Sequence, residues 1–388
     1  MSKNIFKIII FILVLISPEL FLIPIVKAEN NPSNLDNYVE YFYNRYSKHF
    51  DQNGLIYSQP EYGILEPALP QKIREWISLI SYYKYRAMAG DQNAKNIIRF
   101  GILNGYNELL NRGSKSQSFQ EAEAHFLTIQ ILKKIPELLK SKTREAIDNI
   151  IELYLEDGIK APDTENRALV SGAHWQYINN YLFEKEIINS EKKKYFDDLI
   201  QNKIDMAIAE SINSDYWYLE NSLQDFSVHY HAVSAFMLMA YGELTEQTKY
   251  LDIAQQMYNN LKKITLADGT IPAQIGHRPS ALGAQFYLMT GLSAYYFNDN
   301  DYMNYLNLTG GNNFFQDPQY PHRLEYHSQN KFNDDYAFSD IAELGLIIPK
   351  LKNLKLYYKI NLAQPDKIFI DNTFYIKNTG KEIFLNKI

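Results

Sequence analysis

Val233-Ser-Ala-Phe-Met-Leu-Met-Ala-Tyr241 is followed by the polar break Gly242-Glu243-Leu244-Thr245 and, a few residues on, by Leu251-Asp-Ile-Ala-Gln-Gln-Met-Tyr-Asn-Asn-Leu261. Two apolar-periodic segments separated by a short polar turn read as helices folded back on one another. The unit recurs along the chain. Apolar residues at helical spacing mark Ile97–Leu110, Phe126–Leu139, Ile147–Leu155, Trp175–Phe183, Ile200–Ile212 and Phe286–Tyr296. An earlier segment, Ile73–Tyr83, starts shortly after Pro70, as helices often do. Further breaks fall at Gly90-Asp91-Gln92, Lys140-Ser141-Lys142, Asn189-Ser190 and Asn298-Asp299-Asn300. They lie roughly 50 residues apart, the size of a two-helix repeat. The pattern predicts an all-α fold of five to six helical hairpins.

Such hairpins can stack into an open solenoid or close into a complete or incomplete α/α toroid with a cleft at one end. Solenoid repeats usually run to about 33–47 residues and share a visible consensus. Here the period is longer and the consensus weak, which favours the toroid. Long connections at Gly158–Gly172, Asn213–Ser227 and Ala267–Ser280 have the polar and aromatic texture of loops that carry function. After Gly310-Gly311 the texture changes to a long loop. A last helix is expected over Asp340–Leu351, then short strands at Leu356–Ile360, Lys367–Asp371 and Thr373–Lys377, ending near Ile383–Leu385. The expected organisation is a targeting segment over 1–28, a toroid over 29–312, and a loop, helix and β-rich tail over 313–388.

Composition narrows the function. With 388 residues, 46% of them hydrophobic and 22% charged, the chain is globular rather than disordered. A net charge of −6 argues against a general nucleic-acid binder. The absence of cysteine excludes disulfides, thiolate metal sites and a cysteine nucleophile. The 31 tyrosines suit a groove that stacks on sugars, although Ile, Asn, Lys and Phe are abundant with them, as codon bias would produce. At the N-terminus, Lys3 and Lys7 precede the apolar run Ile8–Ile16, and Val26-Lys27-Ala28 gives a small-residue cleavage site. Pro18, Glu19 and Pro24 oppose a permanent span. Cleavage after Ala28 takes the charge from −6 to −8. The expectation is a periplasmic or secreted monomer without stable membrane insertion.

Three polar constellations are candidates for chemistry. The first spans Asp163 to Tyr177 and offers Asn166, Arg167, His174 and Trp175 just before a helix. The second spans Tyr216 to His231 and offers Trp217, Tyr218, Asp225, His229, Tyr230 and His231. If a helix begins near Ser227, then Ser227, Tyr230, His231 and Ser234 share one face. His229 and His231, two apart, cannot both face one metal ion from a single helix, so no metal is expected. The third spans Leu266 to Ser280, where His277 and Arg278 form an anion clamp, because arginine grips carboxylates through two parallel hydrogen bonds. The remaining histidines, His49, His125, His322 and His327, read as structural.

Asp225-x-Ser227-x-x-x-His231, leading into an aromatic-rich helix, resembles the Asp-Gly-Ser-x-x-x-His loop of chondroitin AC, hyaluronate and heparinase-type polysaccharide lyases. Asp268-Gly269-Thr270 with Arg278 is similar to the Asp-Gly-Ser…Arg stretch of single-domain alginate lyases. The resemblance covers Asp163 to Gly291 and implies an exported α/α toroid without cofactor. It places the family's asparagine on Asn166, with His174 a turn or two on. There are departures: Phe226 replaces a glycine, Asn166-Arg167 replaces Asn-His, and Gln285 stands where the alginate lyases have tyrosine, with Tyr287 two residues further on.

β-Elimination on a uronic-acid polymer needs a neutralised carboxylate, a base for the C5 proton and an acid for the leaving oxygen. Asn166 and Arg278 suit the first task, His231 or His174 the second, and Tyr230 the third. Arg167, Trp175, Trp217, Tyr218, Asp225, His229, His277 and Tyr287 would contact an anionic polysaccharide. A glycoside hydrolase on the same toroid is the alternative, with Asp163, Glu165, Glu220 and Asp225 available as paired carboxylates. A non-catalytic helical-repeat envelope protein binding glycans or partners is the third reading.

Overall fold

The computed structural model describes residues 56–58 and 66–68, most of 83–112, then 118–220, 225–264, 284–299, most of 341–351, and 375–378 and 381–384. The targeting segment, nearly all of the Ile73–Tyr83 helix, the Leu266–Ser280 constellation and the strands expected at 356–371 lie outside the described residues. The chain divides into two compact units, residues 1–161 with 178–193, and residues 162–177 with 194–388.

The first unit contains a short antiparallel hairpin, β1 (Ile56–Ser58) and β2 (Glu66–Ala68), with Tyr57 opposite Pro67. Its helices are α1 (Gln92–Arg112), α2 (Ser118–Lys134) and α3 (Ser141–Ile159), joined by the C-terminal part of α4 (Glu165–Glu184). Local chemistry sets the boundaries. Gly90 adopts φ +99° in the turn before α1, which only glycine does without cost. Asp91 Oδ1 then accepts the N–H groups of Asn93 and Ala94 at 2.9 and 3.1 Å, capping the helix. Helix α2 is buried nearly all round, including Glu121, Glu123, His125, Thr128 and Gln130. His125 Nδ1 lies 3.0 Å from the Tyr106 hydroxyl, and Tyr181 donates to Asp148 at 3.0 Å. The structural assignment of His125 thus corresponds to a core polar network.

The second unit holds the N-terminal part of α4, most of α5 (Ser190–Ser211), the two-residue strand β3 (Asp225–Phe226), α6 (Val228–Thr245), α7 (Thr248–Lys263) and α8 (Ala284–Tyr296). Residues 341, 343–345 and 347 are helical, and a 3₁₀ turn follows at Pro349–Leu351. Strands β4 (Tyr375–Asn378) and β5 (Lys381–Phe384) form an antiparallel pair, with Tyr375 opposite Phe384. Helix α6 is buried continuously from His231 to Gly242 and packs on α7 and α8, so it is the centre of this unit. Helix α7 buries only Tyr250, Ala254, Met257, Tyr258, Asn260 and Leu261, the stripe of a surface helix. The all-α, hairpin-built class expected from the sequence is the one observed.

Two boundaries differ from expectation. Helix α4 begins at Glu165, ten residues before the expected Trp175, because the Thr164 carbonyl already accepts the N–H groups of Arg167 and Ala168. Asn166, Arg167 and His174 therefore stand on a helix, not in a loop preceding one. Helix α6 runs to Thr245, through the expected break, and ends at Glu246 with φ +56°. There Gln247 N–H bonds Gly242 O and Glu246 N–H bonds Glu243 O, the paired bonds that close a helix through a left-handed residue.

Within the second unit α4 meets α5 at Gly172. A Cβ placed there would lie 2.4 Å from Ile204 Cδ1. Gly172→Ala is expected to cost about 1–3 kcal/mol through overpacking, measured by urea unfolding. Unchanged stability would show that the close approach is not required.

Candidate functional site

The site is assembled in the second unit from three pieces distant in sequence. The segment 162–166 leads into α4, the segment 213–220 follows α5, and Ser227–Tyr230 opens α6. Asn213 organises the middle piece. Its Oδ1 accepts Asp215 N–H at 3.1 Å and Trp217 N–H at 2.9 Å, while its own N–H bonds Trp217 O at 3.1 Å. Tyr216 takes the left-handed position that ends this tight turn, with φ +62°. Asn260 of α7 fastens the turn by donating to Asp215 O and Tyr216 O at 2.7 and 3.1 Å. Isolated bridges Ile212–Tyr218 and Leu219–Phe226 then align the chain beside β3.

Tyr218 is the junction. Its hydroxyl donates to Asn166 Oδ1 at 3.3 Å and lies 3.4 Å from the Asn166 N–H. Its ring meets Tyr230 edge-on, with centroids 6.4 Å apart. Burial pushes the phenol pKa well above its ordinary value, and the charges of Glu220 and Glu165 push it further. Tyr218 is therefore a protonated hydrogen-bond donor, not a base. Glu220 is buried, while Glu165, Asn166, His229 and Tyr230 are half-buried.

Glu165 has φ +53°. Of the five non-glycine residues with positive φ among the described residues, Glu186, Glu246 and Asn298 close helices and Tyr216 closes a turn. Glu165 alone of the five opens a helix in this conformation, at a cost of about 1–3 kcal/mol. Such strain gathers at functional positions. Just before it, Asp163 pairs with Lys203 of α5 at 3.2 Å, with only 4% and 9% of these side chains exposed. Burial lowers the Lys203 pKa, and the Asp163 charge opposes that shift. Sequence reading missed Lys203, because a lysine on a charged amphipathic helix reads as solvated surface.

His231 is fully buried. Its Nδ1 accepts the Tyr218 N–H at 3.0 Å, so Nε2 carries the proton and donates to Met257 O at 2.8 Å. Burial depresses its pKa to about 4. Trp217 and Phe226 pack their rings on it at 5.2 and 5.9 Å. The expected proton carrier thus occupies the position of a core bracket between the 216–220 segment and α7. Ser227 caps α6 by accepting Tyr230 N–H at 3.4 Å, and it and Ser234 are buried. Of the wet cleft expected around His231, only His229 and Tyr230 reach partial exposure. His174 is buried on α4, with Nδ1 donating to Val170 O at 2.8 Å, and Trp175 beside it is in the core. Trp217 is likewise buried against Phe226, at 5.4 Å, as a plug rather than a platform; the exposed member of the aromatic triplet is Tyr216, at 39%. Arg167 is exposed. Asp225 lies in β3 and Tyr287 in α8, with their side chains outside the described residues, as are His277 and Arg278 entirely.

Among the described residues no three His, Asp or Glu side chains are grouped to hold a metal ion, and no helix is long and apolar enough to cross a membrane.

No family profile matches the chain, and no curated protein matches it. Solved structures with a similar course include the Lin0763 protein from Listeria innocua, with 12% identity, a TM-score of 0.49, and coverage of 80% of this chain and 97% of that one. Another is a variant of UGL, an unsaturated glucuronyl hydrolase, with dGlcA-Glc-Rha-Glc, at 10% identity, a TM-score of 0.45, and coverage of 79% and 81%. At that distance neither assigns a residue role or a substrate to this chain.

Proposed function

We propose that the chain is an exported, monomeric α/α-toroid enzyme that cleaves a polysaccharide or oligosaccharide by hydrolysis, with Glu220 and Glu165 as its two carboxylates. The observation that carries this reading is the convergence on Tyr218. Asn166, 52 residues away in sequence, shares its hydroxyl; Glu165 directly precedes Asn166, and Glu220 lies two residues after Tyr218. Hydrolysis of a glycosidic bond uses one carboxyl to protonate the leaving oxygen and another to activate water or attack carbon. Glu220, enclosed, delivers the proton, and Glu165, half-buried, meets the water. Tyr218 and Asn166 hold a sugar hydroxyl between them, one donating and the other accepting.

The Asn166–Tyr218 pair also favours a second reading, β-elimination on a uronic-acid polymer, in which Asn166 and Arg278 neutralise the uronate carboxylate. That reaction needs a base. His231 and His174 are enclosed, which leaves Tyr230.

The test is to incubate purified protein with alginate, pectate, glucuronan and glycosaminoglycans, and with oligosaccharides made from them by lyases, following new reducing ends and unsaturated-uronate absorbance together. Reducing ends without absorbance gain are expected. Absorbance gain would establish elimination instead, and neither signal on any glycan would overturn glycan cleavage.

A further inference from the structure

A cavity of about 470 Å³ opens between the C-terminal turn of α7 and the turn that follows α8, sharing no residue with the candidate site. One wall is Gln255, Tyr258, Asn259 and Lys262, which lie on one face of α7 at three- and four-residue spacing. The other is Phe297, Asn298 and Asp299. Its volume is within the range of about 300–1,000 Å³ typical of small-molecule sites.

The charges in the cavity are already balanced. Asp299 accepts the Tyr258 hydroxyl at 3.2 Å and also pairs with the Lys262 ammonium. Tyr258 is 1% exposed, and its ring packs on Phe297 with centroids 5.4 Å apart, so the floor is rigid. The amide side chains of Gln255, Asn259 and Asn298 make no hydrogen bond to another described residue. Each presents a donor and an acceptor, the combination that complements an alcohol hydroxyl. An anion is disfavoured because Asp299 lines the cavity and both helices direct their C-terminal, partially negative ends toward it. A cation meets the ammonium of Lys262.

We propose that this cavity is a second carbohydrate site that binds a neutral pyranose unit without cleaving it. The proposal goes beyond the cleavage reading and is measured by binding, so its outcome is independent of turnover. ¹⁵N-labelled protein is titrated with methyl α-glucoside and methyl α-mannoside, with sodium glucuronate as the anionic control. Saturable shifts at residues 255–262 and 297–299 are expected for at least one neutral glycoside, with a much weaker response to glucuronate. Asn259→Leu and, separately, the exposed-site variant Gln255→Leu should each weaken the binding at least tenfold, whereas Glu220→Gln should leave it unchanged. No saturable shift with either glycoside, shifts that persist in both variants, or an equal response to glucuronate would overturn the proposal.

Discussion

Glu220→Gln is expected to lower glycan turnover by at least about 10²-fold, the smaller end of the effect of losing a general acid. The substitution keeps the size and most hydrogen-bonding capacity of the side chain but removes its exchangeable proton. The position favours a clean result. Leu219 bridges Phe226, and Tyr218 is tied to Asn166 and His231, so the backbone leading into residue 220 is held. Urea unfolding should therefore report a folded protein close to wild type. Glu165→Gln should produce a comparable loss, since hydrolysis needs both carboxylates. Wild-type turnover in both folded variants would exclude the two carboxylates from the reaction.

His231→Ala is expected to destabilise the protein by about 2–5 kcal/mol rather than to impair chemistry in a stable fold. Its ring satisfies the buried Tyr218 N–H and Met257 carbonyl, and each backbone group left without a partner costs about 1–3 kcal/mol. The wild-type protein carries a related signature in acid. The folded pKa of His231, about 4, is depressed below the ordinary value of about 6.5. Between these values the unfolded chain binds the proton and the folded chain does not, so acidification favours unfolding. The contribution of His231 is fully present above about pH 6.5, falls as the pH drops toward 4, and changes little below that. The full loss is about 3 kcal/mol, from 1.36 kcal/mol per pKa unit. Urea denaturation at several pH values measures it, and His231→Gln should flatten the slope in that window. A His231→Ala protein as stable as wild type would contradict the bracket role.

The helices were legible where apolar periodicity met a polar turn. The paired segments of α6 and α7 are the clearest case, and Asp91 and Asn189 cap helices at two of the expected breaks. Legibility failed at α4. Its first turns carry Glu165, Asn166 and Arg167, a polar face that periodicity reads as loop, whereas the helix start is set by the Thr164 carbonyl. The fastening of the Asn213–Trp217 turn by Asn260 and the approach of Tyr218 to Asn166 depend on contacts 44 to 52 residues apart, which local pattern does not encode. His231 illustrates a different limit. A histidine among serines, tyrosines and a second histidine has the composition of a wet cleft. Only the packing of Trp217 and Phe226 on its ring, and the two backbone groups it serves, reveal a core position.

The most direct measurement is a crystal structure of Glu220→Gln with an oligosaccharide that the wild-type enzyme cleaves. Cleavage at this site predicts a sugar bound between Asn166 and Tyr218, with the scissile oxygen within hydrogen-bond reach of the residue 220 side chain and solvent reaching the reacting carbon past Glu165. An oligosaccharide bound only elsewhere in the crystal, with Asn166 still closed on Tyr218, would contradict it.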